Sequence, residues 1–397
     1  MSDGPQATAL GKIFITLFLI GCAVGAWFLL AGPNRDSFNT NNSNGSNGSR
    51  DPTKQVAITI AYGTEKKPWM EWAITEFAKT PAGREVTVSL LPLGSLEGAQ
   101  AILRNERPIH AWAPAGSMFT STFVADWQIK FGGDPIAKQE NLALTPMVYV
   151  WWKERYLAFV AKYKTATMQT ISTALQEKTG WVGIANKPEW GLFKFGHTHP
   201  NQSNSGLMAL IIMACEYHDK ATGLSMADIL DPKFQNWMNT TEAAVTGMSN
   251  STGTMMKEMV LKGPSAYDAV LVYESVAIDF LKAAAGRWGD LQLVYPQRNL
   301  WNDNPFYVLK ASWVSPAQRQ AGEAFLAFLM DEPAQRQALI HGFRPGNPNV
   351  PVLFPESPFE LFQRNGLRND ISAILETPKT EVVSNLLQSW QRSQGNR

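Results

Sequence analysis

Cysteine is scarce in this chain: two in 397 residues, Cys22 and Cys215. Each falls in an apolar run, so the soluble part offers no thiol partner for a disulfide, and neither an oxidising nor a reducing compartment is excluded. Cys215 reads as a small buried hydrophobe. A surplus of either charge is also missing. Thirty-five Lys and Arg against 34 Asp and Glu leave no long-range field to gather nucleic acid, which removes that partner class. There is no Gly-X-Ser-X-Gly elbow, no phosphate-binding P-loop, and no dinucleotide fingerprint at a strand-to-helix turn, so the common hydrolase, NTPase and dehydrogenase signatures are excluded. Nothing in the sequence asks for a cofactor.

Apolar and aromatic bulk is what the chain does have: 45% hydrophobic residues, 14 Trp and 9 Tyr. At this length it can build two domains around large cores. Residues 13–31 are uncharged and span a bilayer if helical. Lys12 before them and Arg35 after them give only a weak orientation bias. Leu19-Ile20-Gly21-Cys22 also reads as a lipoprotein cleavage box, but cleavage there leaves the apolar stretch 23–31 as the new N-terminus, where a polar tether is usual. An uncleaved signal anchor is therefore expected, with residues 1–12 on the cytoplasmic side. Residues 32–54, rich in Asn, Ser and Gly, form a flexible linker; its central polar tract reaches roughly 20 Å by random-coil scaling.

The soluble chain opens as β-α-β-α. A strand over 55–62, a helix over 69–77, a strand over 86–91 and a helix over 96–104 imply a mainly parallel sheet, followed by a short strand over 109–114. Ligands of such sheets sit beyond the carboxyl ends of the strands. Three of these turns carry a hydroxyl: Thr64, Ser95 and Ser117. A long apolar strand over 145–152 leads to a second α/β alternation, with a helix near 169–178 and a strand over 181–185. Then comes the stretch around which the rest is organised. Gly196-His197-Thr198-His199-Pro200-Asn201-Gln202-Ser203-Asn204-Ser205-Gly206 is polar; the apolar run 207–218 that follows is a buried helix. Ser203 and Ser205 stand where N-caps belong. The unpaired amides and partial positive charge of a helix start suit an anion or a polar ligand edge, and Gly206 would let a ligand approach the backbone. A second such loop, with Ser251 and Thr252, precedes a helix over 254–261. The strand 269–274 ends in Tyr273 and Glu274, and 291–296 is expected to return the chain to the first lobe. The order suggests two α/β lobes, 55–147 with 296–397 and 148–295, around a cleft that hinges on its ligand.

These residues carry a resemblance. Pro92-Leu93-Gly94-Ser95, the 196–207 loop, Ser251-Thr252-Gly253-Thr254, Gly263-Pro264-Ser265-Ala266-Tyr267-Asp268, Val272-Tyr273-Glu274, Val294-Tyr295-Pro296 and Gly342-Phe343-Arg344-Pro345 stand in order over about residues 55–350. The chain resembles bacterial extracellular solute-binding proteins of the type II periplasmic-binding fold, in the broad group that includes molybdate-binding proteins. The nearest likeness is to a subfamily of substrate-binding domains often fused to von Willebrand A domains, although none follows here. Together with the expected anchor at 13–31, which makes it a single-pass protein of the bacterial cell membrane, the resemblance implies a soluble part outside the cytoplasm that serves an ABC-type permease or a receptor. Two positions depart from the subfamily pattern: His199 stands where Asp is usual and Asn304 where His is usual, so ligand identity is not carried over.

The expected binding set is Thr64, Ser95 and Ser117 from the first lobe, His197, Ser203, Asn204, Ser205, Gly206 and the Leu207 amide from the helix start, and Ser251, Thr252, Tyr273 and Glu274 from the second lobe. Neutral donors of this kind can hold a small polar solute or an oxyanion without a countercharge. A competing metal reading uses His197 and His199 with Glu274 and Asp303. A weaker enzyme reading pairs Ser205 with His197 or His199 as nucleophile and base. A third alternative is a membrane-tethered adaptor whose cleft has degenerated.

Overall fold

The structure is a computed structural model that describes residues 55–371 and 374–395. The expected span 13–31 and the linker 32–54 lie outside the described residues. Among those described, no helix is long and apolar enough to cross a membrane.

The first lobe is built on β1 (Val56–Tyr62), β2 (Val86–Pro92), β3 (Ala111–Ala113) and β4 (Ile136–Asn141). The second uses β5 (Ala143–Trp152), β6 (Phe195–His197), β7 (Ala269–Tyr273) and β8 (Leu291–Val294); β9 (Trp301–Asn302), β10 (Pro305–Leu309) and β11 (Arg344–Pro345) complete the two sheets. One sheet runs β2-β1-β3-β10-β4, with β1 parallel to β2 and β3, and β10 antiparallel to β3 and β4. The other runs β11-β5-β7-β6, with β8 and β9 also paired to β5. Side chains alternate across the first sheet as strand geometry requires. Phe306 and Val308 pack with Trp69, Phe77 and Phe325 on one face; Tyr307 and Leu309 pack with Trp112, Phe123 and Trp127 on the other.

The chain passes between lobes three times, the last between Phe343 in the first core and β11 on the second sheet; the first two points are adjacent. Leu142 separates β4 from β5, and Asp303-Asn304 separates β9 from β10. These two crossings are tied together: the Leu142 amide donates to the Asn304 carbonyl at 3.1 Å, and Asn304 Nδ2 donates to the Ala143 carbonyl at 3.2 Å. The return to the first sheet is thus made at Asp303-Asn304, later than the expected return through 291–296, which instead forms β8 on the second sheet.

Two further expectations are corrected. Residues Trp181–Ala185 are helical, not a strand. Trp181 and Ile184, three apart, both face the core, a helical spacing that a single turn can satisfy; Phe195–His197 takes the sheet position. The C-terminal helix Thr380–Gly395 packs on the second lobe rather than the first, because Val382, Val383, Leu386 and Trp390 supply an apolar stripe that joins the second core. The organising helix runs Asn204–Tyr217, and its residues from Asn204 to Glu216 are all buried. A helix without a polar face belongs at the centre of a lobe, and this one sits there, between the second sheet and the C-terminal helix.

Candidate functional site

The carboxyl end of β1, the start of the Ser95–Arg104 helix, the start of the Asn204–Tyr217 helix and the start of the Thr252–Lys262 helix meet around a cavity of about 550 Å³ between the two sheets. Its walls carry Thr64, Glu65, Ser95, Glu97 and Gln100 from the first lobe, and Asn201, Gln202, Ser203, Asn204, Asn250, Ser251, Thr252 and Tyr273 from the second. The lobes touch at its rim: a Cβ on Gly94 would lie 2.7 Å from the Gln202 carbonyl oxygen, so a glycine is what allows the approach.

Seven of the expected residues line this cavity: Thr64, Ser95, Ser203, Asn204, Ser251, Thr252 and Tyr273. Ser95 Oγ accepts the Ala115 amide at 3.1 Å, fixing the third loop against the helix start. Ser251 Oγ accepts the Thr254 amide at 3.2 Å and caps its helix, which begins at Thr252. Asn204 is 4% exposed; its Nδ2 donates to Asn302 Oδ1 at 2.7 Å and to Tyr273 Oη at 3.1 Å, while its Oδ1 has no partner among the described residues. Burial, then the charge of Glu65, pushes the Tyr273 hydroxyl well above the ordinary tyrosine range, so it stays protonated.

Five expected residues lie elsewhere, each for a visible reason, and the expected Leu207 amide is spent within the helix on the Ser203 carbonyl at 3.3 Å. Ser205 is fully buried behind the wall, its hydroxyl bonded to those of Thr198 and, at 3.0 Å, Ser203. Gly206 serves packing: a Cβ there would be 2.2 Å from the Thr198 carbonyl oxygen. The Ser117 amide donates to Asp303 Oδ1 at 2.8 Å, outside the cavity. His197 is fully buried, with Nε2 3.0 Å from Glu242 Oε1 and Nδ1 2.9 Å from the Thr198 carbonyl oxygen. Burial works against its charged form, yet the Glu242 carboxylate holds its pKa above the ordinary histidine value. Glu274 is committed to Arg344 and Tyr295.

The metal and enzyme alternatives therefore find no assembled site. His199 has its Nδ1 on the Asn201 amide and its ring edge-on to Trp390, 5.1 Å between centroids. His197, His199, Glu274 and Asp303 each have different partners, and among the described residues no group of three or more metal-ligating side chains is placed to hold an ion. Ser205 bonds to hydroxyls, not to either histidine.

Several site residues are not evident from the sequence reading. Glu65 and Glu97 are the only charged side chains among the described residues lining the cavity. Lys66 lies just beneath, wholly buried, its Nζ donating to Glu65 Oε1 at 2.5 Å, the Pro114 carbonyl at 3.0 Å and Asn304 Oδ1 at 3.1 Å. The Thr64-Glu65-Lys66 run at the carboxyl end of β1 was the available signal for the first-lobe pair; Asn302, on a two-residue strand, had none.

A family description for bacterial extracellular solute-binding proteins matches residues 58–344. Comparison with curated protein sequences found no match. Similar solved structures include the sulfate-binding protein SubI from Mycobacterium tuberculosis H37Rv, 16% identical, with a TM-score of 0.54 over 86% of this chain and 99% of that one. A periplasmic thiamin binding protein is 12% identical, with a TM-score of 0.57 over 87% and 98%. Iron-bound HitA from Pseudomonas aeruginosa is 14% identical, with a TM-score of 0.53 over 86% and 99%. At these identities the structures speak for the fold alone. The two-sheet architecture and the match over most of the chain lead to one conclusion: the chain belongs to the bacterial extracellular solute-binding protein family.

Proposed function

We propose that this protein captures a small polar or anionic solute in the cavity between its lobes, outside the cytoplasm and tethered to the cell membrane, and presents it to an ABC-type permease or a receptor. The observation that carries the reading is the convergence of three helix starts on one cavity walled by hydroxyl and amide side chains. A helix start leaves amide donors unpaired and concentrates partial positive charge, so several aimed at one space make a polar ligand site. The cavity volume falls in the range of small-molecule pockets, roughly 300–1,000 Å³. The neighbours are described as binding sulfate, thiamin and iron, so the lining rather than the fold decides what is held.

Thermal denaturation of the purified protein against a library of oxyanions, carboxylates, amino acids and sugars tests this. A bound solute at a hundred times its Kd adds about 2.7 kcal/mol to stability. At least one compound should raise the melting temperature, and Asn204→Leu and Thr252→Leu should each abolish that rise. A library without effect on the wild-type protein defeats the proposal.

A further inference from the structure

The two lobes give the cavity walls of opposite polarity. On the second-lobe side, the helices beginning at Asn204 and Thr252 have no acidic residue in their first turns, so their partial positive ends face the cavity with no carboxylate of their own. On the first-lobe side, the helix beginning at Ser95 carries Glu97 in its first turn, and the Glu97 carboxylate accepts the Gly94 amide at 3.3 Å. That helix start is already neutralised. Next to it stands Glu65, whose side chain is only 7% exposed. Its cationic partner Lys66 points away: the three Nζ–H groups go to Glu65, Pro114 and Asn304, which leaves none for a ligand. The Glu65–Lys66 pair thus turns its negative end to the cavity and its positive end to the crossing between lobes.

A solute that is only an anion meets two carboxylates on one wall. A solute that is only a cation meets two bare helix starts on the other. Resting on the solute-binding reading above, we propose that the cavity takes a zwitterionic solute. Its anionic group lies at the Asn204 and Thr252 helix starts, and its ammonium lies against Glu65 and Glu97.

Matched pairs of small acids with and without an amine test the assignment: taurine against ethanesulfonate, 2-aminoethyl phosphate against ethyl phosphate, and glycine against acetate, each titrated calorimetrically into the purified protein. In at least one pair the amine-bearing member should bind tenfold or more tightly than its partner. Glu65→Gln should bring that ratio toward one, as should Glu97→Gln, which leaves the Lys66 pairing intact and covers the case in which the first variant does not fold. Thr252→Leu should weaken the amine-bearing member without restoring the other. Equal binding of both members of every pair that binds overturns the zwitterion assignment while leaving the solute-binding reading in place. No binding by these pairs or by the wider library overturns both.

Discussion

Glu274 receives both arms of the Arg344 guanidinium, Nε–H to Oε1 and Nη2–H to Oε2, each at 2.8 Å, where the Glu274 side chain is fully buried and that of Arg344 is 7% exposed. Tyr295 Oη donates to the same carboxylate at 2.7 Å, and two further guanidinium protons go to the carbonyls of Arg368 and Asn369. One pair therefore joins the helix that follows β7, the short strand β11 and the C-terminal stretch. Position alone made Glu274 a cleft candidate, since it follows Tyr273 at a strand end. Its side chain turns inward because Arg344 offers a bidentate partner there.

Removing one member of such a pair leaves an uncompensated buried charge, at a cost of about 3–5 kcal/mol, whereas replacing both by apolar groups is often close to neutral. Arg344→Met should lower the unfolding free energy by that amount in urea titrations, and Arg344→Met with Glu274→Met should recover more than half of it. Neither residue lines the cavity, so solute affinity of the folded variants should stay within about twofold of wild type. A loss below about 1 kcal/mol in the single variant would contradict the ion-pair role.

Lys66 should behave differently, because it sits where the cavity and the crossing meet. Burial draws its ammonium below the ordinary lysine range, and the Glu65 carboxylate pulls it back only in part. Its partner Asn304 holds a left-handed backbone, φ 38°, at the second crossing and bonds to both Leu142 and Ala143. Lys66→Met strands the Glu65 carboxylate and the Pro114 and Asn304 acceptors together. The expected loss is about 3–5 kcal/mol. Here, unlike at Arg344, a fall in solute affinity should accompany it among folded molecules. A double-mutant cycle with Glu65→Gln should show a coupling of at least about 1 kcal/mol; additive effects would mean the two side chains do not act as a pair.

The contrast between Ser203 and Ser205 shows how far sequence carries. Polar residues ahead of an apolar run mark a helix start, and the loop that opens the helix does line the cavity. Which of two hydroxyls two residues apart faces outward depends on the first turn of the helix, whose phase was set one turn late: the helix begins at Asn204, not beyond Gly206. That shift puts Ser205 inside the helix and turns Gly206 from a ligand approach into a packing contact. The strands β1, β2, β5 and β7 are legible from alternation or from short apolar runs rich in Val and aromatic residues. Trp181–Ala185 was not, since five apolar residues suit a strand or one helical turn equally, and only the tertiary position of Phe195–His197 decides. Glu65 carries no sequence signal that separates it from other exit-loop charges; its burial follows from Lys66 beneath it, a relation that depends on Asn304 far along the chain.

Glu216, at the last turn of the central Asn204–Tyr217 helix, gives the fold a pH dependence of predictable sign. Its Oε2 accepts the Met168 amide at 2.6 Å, and its Oε1 has no partner among the described residues. Burial pushes its carboxyl up to about 7 from an ordinary 4.5, the Met168 amide opposing this. Between those values the folded chain holds a proton that the unfolded chain has released, so stability falls as pH rises through the window and levels off above it. At about 1.36 kcal/mol per pH unit the whole effect is about 3 kcal/mol. Glu216→Gln keeps an acceptor for Met168 and removes the ionisation. Relative to wild type, the variant should therefore gain about 3 kcal/mol between pH 4 and pH 8 in urea unfolding. Asp268, raised by burial to about 6, slopes the same way but does so in both proteins and drops out of the difference. A difference that stays flat across the window would show that Glu216 ionises in the folded protein without penalty, and that water or a cation reaches it from the Met168 side.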